Sequence, residues 1–261
     1  MIYYFSGTGN SRMIAHRIAE MTHDHAVAIQ DRSAATDKQT QVLGLVFPVY
    51  AWGLPRVMKR FIQQLELPHV PQYLYAICTC GDDIGKTDVE LRKVLQQKRW
   101  PLHAIWSVTM PNTYVALPGF DVDDQQTTLN KLESSAQRTA AIARCIEVQK
   151  KDIADVRPGN WPGLKSYVLR PLFNALLTGD YLFKANDSCT HCKICSNTCP
   201  MHNIEHGKDG KPRWKNHCAD CLACYHSCPQ HAISYGPFTN NKGQYLLRKF
   251  LQRHFNLKER K

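Results

Sequence analysis

The sequence predicts an α/β fold: a doubly wound parallel sheet of five strands, followed by a small α+β domain that is rich in cysteine. Short apolar runs alternate with stretches of helical period over roughly the first 150 residues, which is typical of repeated βαβ units. Eight of the eleven cysteines then fall between Cys189 and Cys228. A chain of 261 residues, 43% of them hydrophobic, can hold a core in each of two domains.

The first strand and the loop after it predict a phosphate-binding site. Residues 1–5 are an apolar run fit for a buried parallel strand, and apolar residues of helical period follow over 12–21. Glycines let the backbone approach a phosphate, hydroxyl and amide groups donate hydrogen bonds, and a helix N-terminus attracts negative charge. The candidate ligand residues in this loop are Ser6, Thr8, Gly9, Asn10 and Ser11.

Two nucleotide-binding fingerprints are excluded for this loop. A dinucleotide fingerprint would need a third glycine at the position of Arg12, and the loop has no P-loop lysine. An ordinary strand–turn–helix junction is the alternative interpretation.

The later elements bring further loops to the same edge of the sheet. Strands are predicted at about 26–29, 41–47, 72–79 and 102–108, and helices at about 54–64, 86–97 and 125–150. In a doubly wound sheet of order 2-1-3-4-5, a ligand binds beyond the carboxyl ends of strands one and three. The predicted ligand contacts in the loops after strands three and four are Pro48, Tyr50, Ala51, Trp52, Gly53, Thr79, Cys80, Gly81 and Asp82.

Aromatic side chains in the loop after strand three suit a planar ligand. Tyr50 or Trp52 is predicted to stack on a ring, and Gly53 supplies a peptide that is free to reorient. A place in the core is the alternative for both aromatic residues. The prolines and the glycine around them favour a loop.

The eight clustered cysteines form two copies of one motif. Cys-x2-Cys-x2-Cys-x3-Cys-Pro runs from Cys189 to Pro200 and again from Cys218 to Pro229. Gaps of two residues let three sulfurs point into one concave loop, so a cubane cluster must take its fourth ligand from elsewhere. In runs of this spacing the fourth cysteine ligates the other of two 4Fe–4S clusters. The prediction is one cluster on Cys189, Cys192, Cys195 and Cys228, and a second on Cys199, Cys218, Cys221 and Cys224.

Zinc is the alternative metal for these cysteines. Structural zinc takes its four cysteines in two spaced pairs, a spacing that this motif lacks. Tight grouping of cysteines in a long chain favours metal binding in a reducing compartment over disulfides. Of the other three cysteines, Cys78 and Cys80 are predicted to be a core and a loop cysteine, and Cys145 to be a buried structural residue of the long helix.

Both halves of the chain resemble known families. The cysteine segment is similar to bacterial two-cluster ferredoxins, and Thr-Gly-Asn-Ser at 8–11 resembles the phosphate loop of flavodoxins. Nearly the whole chain therefore resembles a flavodoxin–ferredoxin fusion protein. The resemblance implies flavin mononucleotide (FMN) in the first domain and two 4Fe–4S clusters in the second. It also implies backbone contacts from Thr79, Cys80 and Gly81 to the pyrimidine edge of the flavin.

The segment after strand five resembles a lid of such fusions in anaerobic prokaryotes. Those proteins carry Met-Pro-x-Asn-Tyr, whereas Thr113 lies between Asn112 and Tyr114 in this chain. The resemblance implies that residues 109–114 cover the flavin. A plain surface loop is the alternative.

Composition divides the chain into four segments. The predicted segments are a flavodoxin-like domain at 1–152, a connecting helical segment at 153–186, a ferredoxin domain at 187–237 and a basic amphipathic tail at 238–261. Prolines and glycines over 157–163 mark the junction. The connecting segment is predicted to be a helix or helix pair, interrupted near Pro171, whose apolar face docks the ferredoxin domain onto the flavodoxin-like domain.

The net charge and the lengths of the apolar segments indicate which kinds of binding partner to expect. The formal net charge is +11, and residues 236–261 contribute seven Lys or Arg against one Glu. The amphipathic stretch at 245–255 is predicted to pack on the body, bind an acidic partner or touch a membrane surface. No module for nucleic acid is recognisable. No run is long enough to span a membrane and no signal peptide is evident, so we expect a cytoplasmic protein without a membrane span.

These features predict an electron-transfer protein that relays electrons between two 4Fe–4S clusters and a bound FMN. It would serve a partner oxidoreductase as a carrier or as a one-to-two-electron converter. The first alternative is an iron–sulfur flavoenzyme that reduces its own small substrate at the FMN, with Tyr50, Tyr114 or Asp82 as acid or base. The second is a redox-sensing protein whose tail binds an acidic partner. No residue is assigned as catalytic, and the oligomeric state is open, a homodimer included.

Overall fold

The computed structural model describes residues 1–31 and 41–255. Contacts within the chain define two compact units, and the segments of the two units alternate along the sequence. The first unit comprises Met1–Ser6, Asn10–Pro111 and Gln125–Leu176. The second unit comprises Gly7–Gly9, Asn112–Asp124 and Leu177–Lys261.

The first unit is built on a parallel sheet of order β2-β1-β3-β4-β5-β6. Its strands are β1 (Ile2–Tyr4), β2 (Ala26–Ala28), β3 (Val42–Pro48), β4 (Tyr73–Cys80), β5 (Ala104–Thr109) and β6 (Ile153–Asp155). The doubly wound fold and the order of the first five strands are confirmed. The prediction missed β6, because Ile153 is the only large apolar residue of this short edge strand and a hydrophobic pattern cannot reveal it.

Helices of the first unit lie near their predicted positions. They are α1 (Asn10–Met21), α2 (Arg56–Gln64), α3 (Thr87–Gln97) and α4 (Gln125–Glu147). In α1 the buried apolar residues are Ile14, Ala15, Ile18 and Ala19, which share one face of the helix because of its 3.6-residue period. The apolar pattern therefore fixes which side of each helix lies on the sheet.

The connecting segment passes through Pro171 without a break. It consists of α5 (Pro162–Leu164), a π-helical stretch (Lys165–Leu169) and α6 (Arg170–Leu176). The backbone N–H of Arg170 donates to the carbonyl of Lys165, one π-helical turn earlier. The predicted interruption near Pro171 is wrong: a π-helical turn widens the helix and leaves room for a residue that has no N–H.

The apolar side of this segment faces solvent. Six apolar side chains of this segment were predicted to dock the two domains. Leu177 is half-buried, and the other five are exposed: Leu164, Tyr167, Val168, Leu172 and Leu176. The polar and charged side of the helix instead contacts the first unit, through Lys165, Ser166 and Arg170. The helical period of the sequence correctly separates an apolar face from a polar face. It does not reveal that the polar face is the one that packs against the sheet domain.

The second unit contains an internal structural repeat that follows the repeat of the cysteine motif. One copy consists of β7 (Phe183–Ala185), α7 (Ile194–Thr198) and β8 (Ile204–His206). The other copy consists of β9 (Pro212–Trp214), α8 (Ala223–Ser227) and β10 (Ile233–Tyr235). β7 pairs with β10 and β8 pairs with β9, both antiparallel. Each copy therefore completes the sheets of the other.

Backbone conformations recur at equivalent positions of the two copies. Lys193 and Leu222 precede the two short helices in the left-handed region, with φ of 61° and 55°. His202 and His231, after the helices, both have φ of 48°. Left-handed backbone is uncommon for residues other than glycine, so its recurrence shows that the two copies share one loop geometry.

The described part of the tail packs on its own unit. It ends in α9 (Leu247–Phe255). The backbone N–H of Tyr245 donates to Nδ1 of His226 at 3.1 Å, and Nζ of Lys249 donates to the carbonyl of Ser227 at 2.9 Å. Of the three interpretations of the tail, packing on the body describes these residues. Within 1–31 and 41–255, no helix combines the length and apolar character needed to cross a membrane.

Substitution of Gly44 by alanine tests the packing of the central strands. A Cβ at Gly44 would lie 2.5 Å from Oη of Tyr75, whose ring is fully buried on β4. We expect Gly44→Ala to lower the free energy of unfolding by about 1–3 kcal/mol, because overpacking displaces a buried ring. Urea unfolding followed by circular dichroism measures it.

Gly163→Ala is the matched control. Its new Cβ would meet only Cδ2 of Tyr167, at an ordinary 3.9 Å, and it should cause no loss of stability. Equal stability of Gly44→Ala and the unchanged protein would contradict the packing described for β3 and β4.

Candidate functional site

The first cysteine group surrounds one cavity. A small cavity in the second unit is lined by Cys189, Cys192, Cys195 and Cys228. Three of these cysteines belong to the first run, and Cys228 ends the second. This is the set that the motif predicts for one cluster.

The second group is formed by the other four cysteines. Burial, followed by the neighbouring thiols of Cys221, Cys218 and Cys199, raises the pKa of Cys224 well above its ordinary value. Burial is also the main cause that raises the pKa of Cys221 to about 12, and Cys199 is again among the contributing thiols. Cys199, from the first run, therefore lies among the first three cysteines of the second run.

Burial raises the pKa of four of these thiols, Cys195, Cys218, Cys221 and Cys224, and so favours their protonated form. Burial raises the pKa of Cys195 to about 11, with smaller contributions from Cys228 and Cys192. Metal ligands are thiolates, so iron must displace these protons, and binding then stabilises the fold. The described residues include no three His, Cys, Asp or Glu side chains arranged around a single metal ion, and all eight thiols are free of disulfides.

Backbone N–H groups point at several of the sulfurs. The N–H of Asn203 lies 3.4 Å from Sγ of Cys199, and at the equivalent place in the second copy the N–H of Ala232 lies 3.3 Å from Sγ of Cys228. Such donors favour negative charge on sulfur. The repeated loop geometry thus provides the fourth cysteine of each run with the same donor.

Asp180 organises the loop that carries Cys218. Its carboxylate accepts hydrogen bonds from the backbone N–H groups of Cys218 (3.0 Å) and Asn216 (2.6 Å), and from the side-chain amide of Asn203 (2.7 Å). The sequence prediction missed Asp180, which lies 38 residues before Cys218. The equivalent residue of the second copy, Asp209, is exposed and binds Arg213 instead.

In the first unit, several of the predicted flavin loops meet. Helix α1 begins at Asn10 and has no acidic residue in its first turn. Oγ of Ser11 and Oγ1 of Thr79 are 2.7 Å apart in a buried hydrogen bond, and Nδ2 of Asn10 donates to the carbonyl of Pro111 at 3.0 Å. The ends of β1, β4 and β5 therefore converge, as the strand order predicts.

The loop after β3 forms a tight turn with unusual backbone angles. Tyr50 and Gly53 exchange two backbone hydrogen bonds of 3.1 Å. Between them, Ala51 and Trp52 have φ of 45° and 57°, the left-handed values of a type I′ turn, which glycine and asparagine usually occupy. Such strain persists where surrounding contacts hold it and is concentrated at functional sites.

Contacts from the connecting segment hold this turn. Oγ of Ser166 donates to the carbonyl of Trp52 at 2.8 Å, and a Cβ added at Gly53 would collide with the guanidinium of Arg170. Both sides of the peptide between Trp52 and Gly53 are thus hydrogen-bonded. The prediction that this peptide is free to reorient is wrong, because a serine 114 residues away in the chain bonds its carbonyl. Sequence analysis missed Ser166 and Arg170, which no motif marks.

The remaining predicted residues have mixed surroundings. The Tyr50 ring packs edge-on against Phe5, with centroids 6.3 Å apart. Cys78 is buried, as expected for a core cysteine. Cys80, predicted in a loop, is instead the last residue of β4 and is buried, which raises its pKa to about 12. Cys145, predicted to be buried, is only half-buried. Thr8 is buried in the second unit, where its carbonyl accepts from the N–H of Leu247. All the predicted flavin ligands, Pro48, Gly81 and Asp82 among them, stay predictions, as does the lid at 109–114.

One glycine of the first loop touches the cysteine region. Gly7 belongs to the second unit, and a Cβ added there would lie 2.6 Å from Cβ of Cys221 in the same unit. Any larger residue at position 7 would displace a predicted cluster ligand. The sequence motif gave Gly7 a role in the loop but not this contact.

Comparison with protein families identifies both halves of the chain. Residues 1–112 match the family model described as a flavodoxin domain, and residues 188–233 match that of a 4Fe–4S dicluster domain. Residues 1–112 are a flavodoxin domain, and a 4Fe–4S dicluster ferredoxin domain follows at residues 188–233, as the resemblance implied. These domains support a redox role in electron transfer and suggest FMN and iron–sulfur clusters as cofactors.

Solved structures give weaker likenesses. The Trp repressor binding protein from Bacillus subtilis aligns with a TM-score of 0.38 and 16% identity over 55% of this chain and 96% of its own. A putative flavoprotein from Bacteroides uniformis aligns with a TM-score of 0.32 and 15% identity, over 42% and 90%. No curated protein matches the chain.

Replacement of Asp180 tests the support of the second cysteine group. Asp180→Ala leaves the N–H of Cys218 and two further donors without their acceptor, so we expect a loss of about 1–3 kcal/mol in the free energy of unfolding. We also expect faster release of iron to a chelator. The control, Asp209→Ala, removes the equivalent carboxylate of the other copy, whose surface ion pair contributes little. Equal iron release from both variants would contradict this role of Asp180.

Proposed function

We propose that this protein is an electron carrier that relays electrons between two 4Fe–4S clusters and a bound FMN. The observation that carries the proposal is the sorting of eight cysteines into two groups of four, each with one member from the opposite run. A flavodoxin domain in the same chain supplies the site for the second kind of redox centre.

The donor set fits the clusters. Four thiols around one cavity are the ligands that a cubane requires, and backbone N–H groups face Sγ of Cys199 and Cys228. Cys189, Cys192, Cys195 and Cys228 would hold one cluster, and Cys199, Cys218, Cys221 and Cys224 the other. When bound, the clusters supply one-electron transfer. The chain's contribution is to bury the thiolates, to donate hydrogen bonds to sulfur and to hold the loops with Asp180.

The first unit fits FMN. A phosphate at the start of α1 would lie at the N-terminus of a helix, with no acidic side chain in the first turn. Gly9 has φ of 106°, a conformation that side chains disfavour. Ser6, Asn10 and Ser11 of the first unit would contact the phosphate, and the held turn at Tyr50–Gly53 with the loop after β4 would contact the ring. When bound, FMN accepts two electrons singly or together.

The relay is supported by the presence of a flavodoxin domain and a 4Fe–4S dicluster domain in the same chain. The relay would exchange electrons with a separate redox protein. An acidic partner is favoured, because the chain carries a formal net charge of +11 and complementary charge steers association.

Paired cysteine substitutions test the crossed ligation. Cys192→Ser and Cys228→Ser should each remove the same cluster, so the double variant should lose no more iron and sulfide than either single variant. Cys192→Ser with Cys221→Ser should lose both clusters. Iron and sulfide analysis after anaerobic purification measures this.

Cys145→Ser is the matched control, because Cys145 lies in α4, outside both groups. It should keep the full iron content. If the double variant Cys221→Ser with Cys228→Ser instead loses no more iron and sulfide than either single variant, the crossed assignment is wrong.

Rapid one-electron reduction tests the relay itself. An electron delivered to the clusters should appear on the flavin at a rate independent of protein concentration, because the transfer is intramolecular. Flash photoreduction with absorbance at flavin wavelengths measures it. The variant that lacks both clusters should lose this phase while it keeps FMN. A rate that rises in proportion to protein concentration would overturn the relay, and steady consumption of a small substrate without any partner would favour the flavoenzyme.

A further inference from the structure

Exposed apolar side chains are concentrated on the connecting segment of the first unit. Half of the exposed large apolar side chains among the described residues lie between positions 161 and 176. Single apolar residues scattered over a surface are normal, whereas a large apolar patch marks an interaction site. We call the following set the apolar face of the connecting segment: Trp161, Leu164, Tyr167, Val168, Leu169, Leu172 and Leu176.

The apolar face lies along one continuous helix. Helical backbone runs from Pro162 to Leu176 through α5, the π-helical stretch and α6. Side chains at intervals of four residues, from Leu164 onward, form a row along the helix. Ser166 and Arg170 are buried or half-buried on its other side, where they donate to carbonyls of the loop after β3. One side of the helix therefore holds that loop, and the other is turned to solvent.

The apolar face carries no charge. Between positions 161 and 176 the charged residues are Lys165 and Arg170. Both are paired inward, Lys165 with the carboxylate of Asp83 and Arg170 with that of Glu90. An acidic protein or an anionic lipid surface would therefore meet no unpaired cation of this segment. The chemistry of the face instead fits a second surface that is apolar and uncharged.

The area of the apolar face matches that of a dimer interface. Its residues are between 42% exposed, for Leu169, and 76% exposed, for Trp161. Large side chains exposed to this degree offer on the order of 700 Å² together, more than the largest apolar patch of a typical monomer, about 300–600 Å². Two such faces would bury about 1,400 Å², within the range of about 1,200–2,000 Å² for stable protein–protein interfaces.

We propose that the apolar face is the interface of a homodimer, in which the connecting segments of two copies pack against each other. A two-fold interface uses the same patch on both copies. A patch without charge meets its own copy without like-charge repulsion, and Trp161 and Tyr167 supply the aromatic area in which such interfaces are enriched. The inference goes beyond the proposed function and depends on neither cofactor.

Val168→Glu tests this interface. Val168 is 56% exposed, so the monomer accommodates a glutamate, whereas the dimer would bury one from each copy. We expect the unsubstituted holoprotein to sediment as a dimer at micromolar concentration in anaerobic analytical ultracentrifugation. Val168→Glu should raise the dimer dissociation constant about 100-fold or more, because like charges oppose association. The matched control is Val148→Glu, at a valine that is 74% exposed outside the apolar face, and it should leave the dimer unchanged.

A second variant keeps the test decisive if Val168→Glu loses its native circular dichroism spectrum. Leu172→Ser adds no charge and should raise the dissociation constant about tenfold or more, because each copy loses a buried leucine. A protein that is monomeric at every concentration would overturn the inference. So would a dimer of unchanged affinity in Leu172→Ser, which would lie on another surface. Binding of the monomer to phosphatidylglycerol vesicles, lost in Leu172→Ser, would also overturn it and assign the face to a membrane.

Discussion

The exchange of strands and cysteines between the two copies of one repeat is the constraint on which the second unit depends. β7 pairs with β10 and β8 with β9, so neither copy can form its sheets alone. The same crossing brings Cys228 to the first cysteine group and Cys199 to the second. Strand pairing and metal ligation thus depend on the same crossed arrangement of the two copies. Iron binding would stabilise this arrangement, because the free energy of metal binding adds to that of folding.

The first unit shows how a strained loop is kept in place. Two residues in the left-handed region, Ala51 and Trp52, cannot hold their turn by local preference. Ser166 bonds the carbonyl of Trp52, and Arg170 occupies the space beside Gly53. The connecting segment therefore acts as a brace for the candidate flavin loop. The residues of the connecting segment that contact this loop, Ser166 and Arg170, are polar or charged. The apolar residues on its other face take no part in these contacts.

The two copies of the repeat in the second unit share one backbone geometry, so the side chains that differ between them distinguish the two cysteine groups. Asp180 and Asp209 occupy equivalent positions, yet only Asp180 binds a cysteine loop. Trp214 corresponds to Ala185, so the second copy has an indole where the first has a methyl group. The shared backbone provides two similar groups of cysteines, and a few side chains then give the two groups different surroundings.

The sequence alone determined the doubly wound sheet, the order of its first five strands and the grouping of the cysteines, because these follow from short-range periodicity and spacing. The cluster motif is local, so it could be recognised without any knowledge of the fold. Only the tertiary structure decided that Ser166 bonds Trp52, that Asp180 holds Cys218 and that the apolar side of 164–176 faces outward. Each of these contacts joins residues far apart in the chain or depends on which of two faces packs, and no local pattern encodes either.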